Sequence, residues 1–223
     1  MKKTIKLLIL GDFNFTYNAH HATNIAIEHA SISLKVDTNY YWMRLHEAAN
    51  LKVTDFREYD GIWVAPGPFE NEFFLDEIMR NSLEAHIPIL ITGRSFKVFI
   101  ENVIRLYNLN SNQEKAISEN LFQGTNFDRI EVIPNSKTLL SLYKNKSRDE
   151  LSNSRYSIYP QVLKELEDVM DIEAINHLEE PEIISLKSRP FCVATMSLPQ
   201  ITSTRESPHP LVLSFINYIK NVK

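Results

Sequence analysis

One stretch of the chain has the layout of a place where chemistry is done. An apolar run, Ile87 to Ile91, leads into a turn at Gly93 and continues as an amphipathic segment. A strand-to-helix turn of this kind can hold a nucleophilic side chain exposed at its apex. Because Gly93 has no side chain, the stretch has the arrangement of an active site without the nucleophile.

Two other side chains, Ser95 and Cys192, are candidate nucleophiles. Ser95, two residues past the apex, is expected to point into the first helical turn and to bond the amide groups there, which lack partners within a helix. Catalysis by Ser95 is left open as an alternative. Cys192 stands between Phe191 and Val193, and a cysteine in such surroundings usually behaves as a small buried hydrophobe.

The histidines and glycines predict neither a metal site nor a nucleotide site. His20 and His21 are neighbours on a predicted helix, so their side chains point about 100° apart and do not readily share one ion. Gly11 follows the first strand, but neither G-x-G-x-x-G nor G-x-x-x-x-G-K-[ST] occurs in the sequence. We therefore predict no metal and no cofactor, and a structural role for His209 between its two prolines.

Composition excludes several classes of function. The chain has 223 residues, of which 43% are hydrophobic, and a formal net charge of -4. That is enough for one large core, so a single domain over 1–223 is expected. The lack of a long Lys/Arg run argues against nucleic acid as a partner, and no apolar run reaches the roughly 18 residues of a membrane span. A single cysteine, Cys192, fits a reducing compartment, and we expect a cytoplasmic protein.

Strands and helices alternate through the first half of the chain, which predicts a mostly parallel sheet with helices on both faces. The Pro-Gly-Pro turn at 66–68 then falls at the edge where open α/β sheets place ligands. The predicted strands are 5–10, 33–36, 62–65 and 87–91, and the predicted helices are a segment from Ala19, 72–85 and 96–107.

The second half predicts a small antiparallel edge to this sheet. Two segments are expected to be loops on the surface, the Asn-rich stretch 108–126 and the charged, Ser-rich stretch 144–154. The predicted strands are 130–134, 139–142, 182–186 and 191–196, and the predicted helices are 162–170 and 211–219.

Separated segments of the chain resemble one family. Residues 60–69 resemble the oxyanion strand of class I glutamine amidotransferase domains, and 87–93 resembles their nucleophile elbow. Residues 189–195, 198–205 and 209–211 resemble the C-terminal signature of the glutaminase domain of CTP synthase, and the likeness covers nearly the whole chain. The resemblance is strongest to stand-alone relatives of that domain. It implies a flavodoxin-like three-layer α/β sandwich.

The resemblance also implies that the family's catalytic residues are replaced. The family uses a cysteine thiolate, a histidine that carries the proton and a glutamate that orients the histidine. These positions fall on Gly93, Leu198 and Gln200, and none of the three can do the corresponding work. Pro68 stands where the family has a glycine in its oxyanion loop and offers no backbone N–H.

Other parts of the family's pocket remain. Arg155 matches the arginine that holds the carboxylate of glutamine in CTP synthase, a task for which a guanidinium is suited. With Arg94 and Lys97 it predicts a cationic pocket, unless these cations face solvent or pair with local carboxylates such as Glu101. The predicted ligand-binding residues are Gly67, Pro68, Phe69, Arg94, Ser95, Lys97, Arg155 and Tyr156.

We therefore expect a catalytically degenerate glutamine amidotransferase-like protein that binds a small carboxylate ligand or a protein partner. An active amidotransferase or hydrolase with a non-standard nucleophile such as Ser95 is the alternative. A homodimer, and docking on a synthetase partner, are both left open.

Overall fold

The computed structural model describes residues 4–120 and 127–222, and this part of the chain contains eleven strands and eight helices. The strands are β1 (Thr4–Leu10), β2 (Asp37–Met43), β3 (Gly61–Val64), β4 (Ile89–Thr92), β5 (Ile117–Glu119), β6 (Asp128–Pro134), β7 (Arg148–Ser152), β8 (Tyr156–Ile158), β9 (Met170–Ile175), β10 (Pro181–Leu186) and β11 (Cys192–Thr195). The helices are α1 (Asn18–Leu34), α2 (Leu45–Ala48), α3 (Val53–Phe56), α4 (Phe73–Glu84), α5 (Ser95–Leu106), α6 (Lys137–Leu142), α7 (Pro160–Leu166) and α8 (Pro210–Val222).

Nine of these strands form one sheet in the order β2-β1-β3-β4-β11-β10-β9-β6-β7. The five strands from β2 to β11 run parallel, and the four that follow join on by antiparallel pairing. β5 and β8 form a separate antiparallel pair. The predicted α/β fold, with parallel strands at its centre and an antiparallel edge, is confirmed.

Helices cover both faces of the sheet because successive residues of a strand point to opposite sides. In β1, Leu8 and Leu10 face a core that contains residues of α4 and α5. Leu7 and Ile9 face the other core, which contains residues of α1 and α8. Every residue of β3 and β4 is buried between these two layers, so the sandwich has the three predicted layers.

The segment 33–36 is not the strand that its sequence predicts. α1 extends to Leu34, and its buried face continues through Ala26, Ile27 and Ala30. Lys35 ends the helix in the left-handed conformation with a φ of 53°. The edge strand β2 therefore begins later, at Asp37.

Three further predictions for the second half are wrong. The segment 139–142 belongs to α6, whose first turn is capped by the Ser136 hydroxyl oxygen, which accepts from the Leu139 amide at 3.0 Å. The predicted loop 144–154 contains β7, which pairs with β6. The helix predicted over 162–170 ends at Leu166, and Met170 begins β9.

The Asn-rich stretch 108–126 is not wholly a loop, since it contributes β5 to the small second sheet. Residues 121–126 of this stretch lie outside the described residues. No helix within 4–120 or 127–222 is long and apolar enough to cross a membrane.

Parallel strands bring their carboxyl ends to one edge of the sheet, and this edge assembles the segments singled out in the sequence. The connections that follow β1, β3, β4 and β11 begin there at Gly11, Ala65, Gly93 and Met196. The candidate site is built from these four connections.

Candidate functional site

The turn at Gly93 is fixed by hydrogen bonds on both sides. Gly93 has a φ of 61°, in the left-handed region that favours glycine. Its amide donates to the Thr195 carbonyl at 2.9 Å, and the Arg94 amide donates to the Pro66 carbonyl at 3.1 Å. The apex is thereby held between the end of β11 and the loop that follows β3.

The space above Gly93 is filled by other parts of the chain. A Cβ atom at this position would lie 2.7 Å from the Pro66 Cβ, 3.0 Å from the Asn153 Oδ1 and 3.0 Å from the Leu198 Cδ2. Leu198 is fully buried, and its amide donates to the Leu151 carbonyl at 2.7 Å. A side chain at position 93 therefore has no room unless these neighbours move.

Gln200, two residues after Leu198, is buried as well, with an exposed fraction of 2%. Neither its amide nitrogen nor its amide oxygen forms a hydrogen bond within the described residues. Leu198 thus lies beside the elbow and Gln200 in the interior, and the two side chains supply no proton carrier and no carboxylate.

The loop 65–70 after β3 is held by two buried polar side chains, Asp12 from the β1–α1 connection and His20 from the first turn of α1. The His20 Nε2 lies 3.1 Å from the Gly67 carbonyl oxygen, and its Nδ1 accepts from the Asn14 amide at 3.0 Å, so the proton belongs on Nε2. Burial lowers the pKa of His20 and favours this neutral form. Asp12 accepts from the Glu70 amide at 2.8 Å with one oxygen and from the Leu45 amide at 3.1 Å with the other.

The side of Gly67 that faces the elbow is also occupied. A Cβ at Gly67 would lie 3.2 Å from the Phe69 ring and 3.3 Å from the Arg94 Cδ. The stem of Arg94 thus covers Gly67, while its guanidinium reaches outward to Glu72 at 3.8 Å.

An open cleft of about 440 Å³ lies beside this covered elbow, between α4, α5 and the small sheet of β5 and β8. Four of the predicted ligand-binding residues line it, together with apolar side chains such as the exposed Phe73 and the buried Leu75. Its lining residues are Phe69, Glu72, Phe73, Leu75, Asp76, Glu77, Arg94, Lys97, Val98, Glu101, Arg105, Glu119 and Tyr156.

The cleft is not the cationic pocket that the sequence predicts, because its lining has five carboxylates and three cations. Each cation has a carboxylate partner. Arg94 pairs with Glu72 at 3.8 Å and Lys97 with Glu119 at 3.8 Å, and Arg105 forms a close pair with Asp76.

Two further groups in the cleft have altered protonation equilibria. Burial raises the pKa of the Glu101 carboxyl against the opposing effect of the nearby Lys97 and Arg105. Burial also raises the pKa of the Tyr156 phenol to about 12, so this hydroxyl stays protonated at neutral pH. The cleft therefore offers hydrogen-bond donors and charges of both signs.

The predicted ligand-binding residues do not all lie at one site in the structure. Phe69, Arg94, Lys97 and Tyr156 line the cleft, whereas Arg155 does not and lies 4.0 Å from the buried Glu182 carboxylate. Burial raises the pKa of Glu182 to about 7. The same carboxylate accepts from the Asn176 side-chain amide at 2.9 Å.

Three further predicted residues, Gly67, Pro68 and Ser95, do not line the cleft. Ser95 is fully buried, and its hydroxyl donates to the Ala65 carbonyl at 2.7 Å rather than bonding the free amides of α5 as predicted. Pro68 and Phe69 line a second cavity of about 420 Å³ that opens toward Phe15. Burial raises the pKa of Cys192 to about 12, in keeping with an unreactive thiol.

His209 has a structural environment, as expected. Its Nδ1 accepts from the Leu211 amide at 3.1 Å, and its Nε2 lies 2.7 Å from a Glu150 carboxylate oxygen. Both side chains are fully buried. The pair fixes the start of α8 against β7.

Asp12 and Asn153 were missed in the sequence. Asp12 had a usable signal, because a polar residue directly after a buried parallel strand lies at the ligand-binding edge of the sheet. Asn153 had none, since it follows a strand that the sequence does not reveal.

Solved structures identify the class of fold. The glutaminase domain of Trypanosoma brucei CTPS, solved with bound acivicin, matches with a TM-score of 0.80 over 97% of this chain and 94% of its own, at 16% identity. A glutamine amidotransferase of Thermotoga maritima matches with a TM-score of 0.59 over 98% of this chain and 97% of its own, at 8% identity. The fold is glutamine amidotransferase-like.

Several curated CTP synthases are similar to this chain in sequence. CTP synthase of Helicobacter pylori is 29% identical over 252 residues, which cover 96% of this chain and 45% of that protein. CTP synthase of Saccharolobus solfataricus is 26% identical over 247 residues, covering 99% of this chain and 46% of that protein. The chain is homologous to CTP synthases and spans less than half the length of these relatives. No family model matches it.

Proposed function

We propose that this chain is a glutamine amidotransferase-like protein without glutaminase activity, which acts by binding a small ligand in the cleft between α4 and α5. One observation carries the first half of the proposal, namely that Pro66, Asn153 and Leu198 occupy the space above Gly93. The reaction needs a nucleophile, a proton carrier and room for the carboxamide at the same place. In this chain the nucleophile and the proton carrier are both missing, and side chains of the interior occupy the space that the carboxamide would need.

The loss of such groups has a large effect on rate. Removing one member of a catalytic triad lowers the rate by roughly 10⁴ to 10⁶, and what remains depends on an intact oxyanion hole. In this chain Pro68 has no N–H to donate, and Gly67 is covered by Phe69 and the stem of Arg94. No residual glutaminase activity is therefore expected.

The cleft supports the second half of the proposal. Arg94 and Lys97 are about one-third exposed, and their partners Glu72 and Glu119 are more exposed still, at 56% and 53%. Ion pairs of this kind contribute only about 0–1 kcal/mol each. A carboxylate of a ligand can therefore replace Glu72 or Glu119 at little cost in free energy.

The excess of carboxylates in the cleft indicates a ligand that is not purely anionic. After a carboxylate has paired with Arg94 or Lys97, Glu72 and Glu101 would be left to attract a positive group. The ligand class that suits both requirements is a small zwitterion, with a carboxylate and an ammonium group, whose apolar part contacts Phe69.

A protein partner is the second candidate, and the exposure of Phe73 favours it. This ring lies at the rim of the cleft with 80% of its surface in solvent. Exposed aromatic rings beside a cleft are common anchor points for partner proteins. Catalysis by Ser95 has no such support, because its hydroxyl is buried and donates to a main-chain carbonyl.

The catalytic part is tested by ammonia release from L-glutamine. We expect the wild-type protein and its Ser95→Ala variant to release no more ammonia than a sample without protein. A release that needs the wild-type chain and disappears in Ser95→Ala would establish the alternative and overturn the proposal. A release that persists in Ser95→Ala would also overturn it and point to another nucleophile.

The binding part is tested by calorimetric titration with L-glutamine, L-glutamate and the monocarboxylate propionate. We expect an amino acid to bind more tightly than propionate, and Arg94→Ala to raise its Kd by roughly 10- to 100-fold, the loss of one charged hydrogen bond. Lys187→Ala removes a similarly exposed cation that does not line the cleft and should leave the Kd unchanged. Equal effects of the two variants would refute the assigned site.

A further inference from the structure

The strand β2 leaves one edge of the large sheet open. It is the first strand in the sheet order and pairs on one side with β1, and no strand among the described residues pairs with its other side. An edge of this kind presents a row of unused backbone N–H and C=O groups that can pair with another chain.

The hydrogen-bond pattern identifies which residues of β2 face outward. The Gly11 amide donates to the Met43 carbonyl at 3.0 Å, so Met43 is directed toward β1. In a parallel pair, residues alternate between the two sides of the strand. Thr38, Tyr40 and Trp42 therefore direct their backbone groups away from β1, to the open edge.

Apart from Asp37 at its start, β2 lacks the features by which proteins usually protect an edge strand. Residues 38–43, Thr-Asn-Tyr-Tyr-Trp-Met, contain no charge and no proline. The strand at the opposite edge, β7, contains the charged residues Arg148, Asp149 and Glu150 among its five. Charges, prolines or bulges commonly prevent an edge strand from pairing with another chain. By this criterion the β7 edge is protected and the β2 edge is not.

The outward groups of β2 are complementary to those of a second copy. With a two-fold axis between the two Tyr40 residues, each Tyr40 exchanges both backbone hydrogen bonds with its equivalent. Thr38 of one copy then faces Trp42 of the other, twice. All three outward N–H and C=O pairs of each strand are used, which gives about six hydrogen bonds across the axis.

The side chains in this register also suit each other. On the α1 side of the sheet, Tyr40 meets the second copy's Tyr40, and aromatic cross-strand pairs are among the favourable ones. On the other side, Asn39 meets the second copy's Tyr41, which is 46% exposed in the single chain. No like charges face each other between residues 38 and 42. Next to the strand, Ile32 of α1 is half exposed and lines a groove along 37–39.

From these observations we propose that two copies of the chain pair antiparallel through β2 and so form one continuous sheet across a two-fold axis. The second copy is favoured over an unrelated peptide because the register that satisfies the outward backbone groups also pairs Tyr40 with Tyr40 and Asn39 with Tyr41 and brings no like charges together.

Light scattering after gel filtration, over a range of protein concentrations, tests the proposal. We expect a dimer whose Kd rises at least about tenfold in Tyr40→Pro, which removes an outward N–H that β1 does not use. Tyr40→Lys places two like charges at the axis and should have the same effect if the proline variant misfolds. Leu178→Lys adds the same charge at an exposed residue outside β2 and should leave the dimer intact.

Cross-linking locates the contact independently of mass. Cys192 is buried, so a short thiol cross-linker should join two copies of Tyr40→Cys and not two copies of Leu178→Cys. A wild-type protein that is monomeric at every concentration would overturn the proposal and leave the edge to a strand of another protein. A dimer that is unaffected by Tyr40→Pro and Tyr40→Lys would overturn it in favour of another surface.

Discussion

Replacing Gly93 with alanine measures how completely the elbow is filled. A residue with a side chain at a φ of 61° is strained by about 1–3 kcal/mol. The new Cβ would also lie 2.7 Å from the Pro66 Cβ, in a rigid ring, and 3.0 Å from both Asn153 and Leu198. Overpacking of this kind costs about 1–3 kcal/mol. We therefore expect Gly93→Ala to lower the free energy of unfolding by roughly 2–6 kcal/mol.

Urea unfolding followed by circular dichroism gives this quantity, and Gly61→Ala is the matched control. A Cβ at Gly61 would lie 2.4 Å from the Cδ1 and 3.2 Å from the Cγ1 of the buried Ile219, so this control is overpacked as well, but the φ of Gly61 is not positive. Alanine is also preferred to glycine within a strand by about 0.5–1 kcal/mol, so the control should lack the backbone strain and lose about 1–3 kcal/mol less than Gly93→Ala. A Gly93→Ala variant within about 0.5 kcal/mol of wild type would refute the claim that the space is filled.

Two buried carboxylates give further predictions. The pKa of Glu182 is raised by burial from 4.5 to about 7, so this group lowers stability progressively as the pH rises from about 4.5 to 7, by up to about 3 kcal/mol. Glu182→Gln should therefore become more stable relative to wild type as the pH increases through this range, and urea titrations that give a constant difference would contradict the assignment. For Glu150, burial alone would raise the pKa, but the hydrogen bond from His209, together with those from Arg148 and Thr202, lowers it below 4.5. Its stabilisation is present above about pH 4.5 and is lost as the pH falls through the lower, folded-state pKa, so Glu150→Gln should cost about 2–3 kcal/mol at neutral pH and less in acid; equal losses at both pH values would exclude this role for an ionised Glu150.

The parallel half of the fold could be predicted because its strands are buried on both faces. The runs that became β1, β3 and β4 consist mostly of apolar residues, with Lys6 as their one charge, and each is followed within two residues by glycine or proline. Such runs leave few alternatives to a central strand. The turn at Gly93 could be predicted in the same way, because a glycine directly follows the apolar run of β4.

The antiparallel half was harder because one of its strands buries polar groups. β7 reads Arg-Asp-Glu-Leu-Ser, and Glu150 and Ser152 are both fully buried in it. Glu150 is bonded by His209, and the Ser152 hydroxyl donates to the Met196 carbonyl at 2.8 Å. Because tertiary partners rather than apolar side chains stabilise this strand, hydrophobic periodicity contains no signal for it.

The charge of the cleft was beyond sequence reasoning for a similar reason. Arg94 and Lys97 are close to the elbow in sequence, but Glu72 and Glu119 reach them from α4 and β5. The sequence identifies the cations, and only the packing of helices and strands identifies their partners. The filled space above Gly93 likewise depends on Asn153 and Leu198, which are distant from it along the chain.

Phe69 forms a wall of both the cleft and the second cavity that contains Pro68. A molecule that displaces this ring from one side must therefore change the volume on the other side. Ligands in the two cavities would then be linked through this ring, and by thermodynamic reciprocity each would alter the affinity for the other by the same factor. Asp12 lines the second cavity and holds the Glu70 amide next to this ring, so the strength of that linkage would depend on how firmly this one carboxylate restrains the loop.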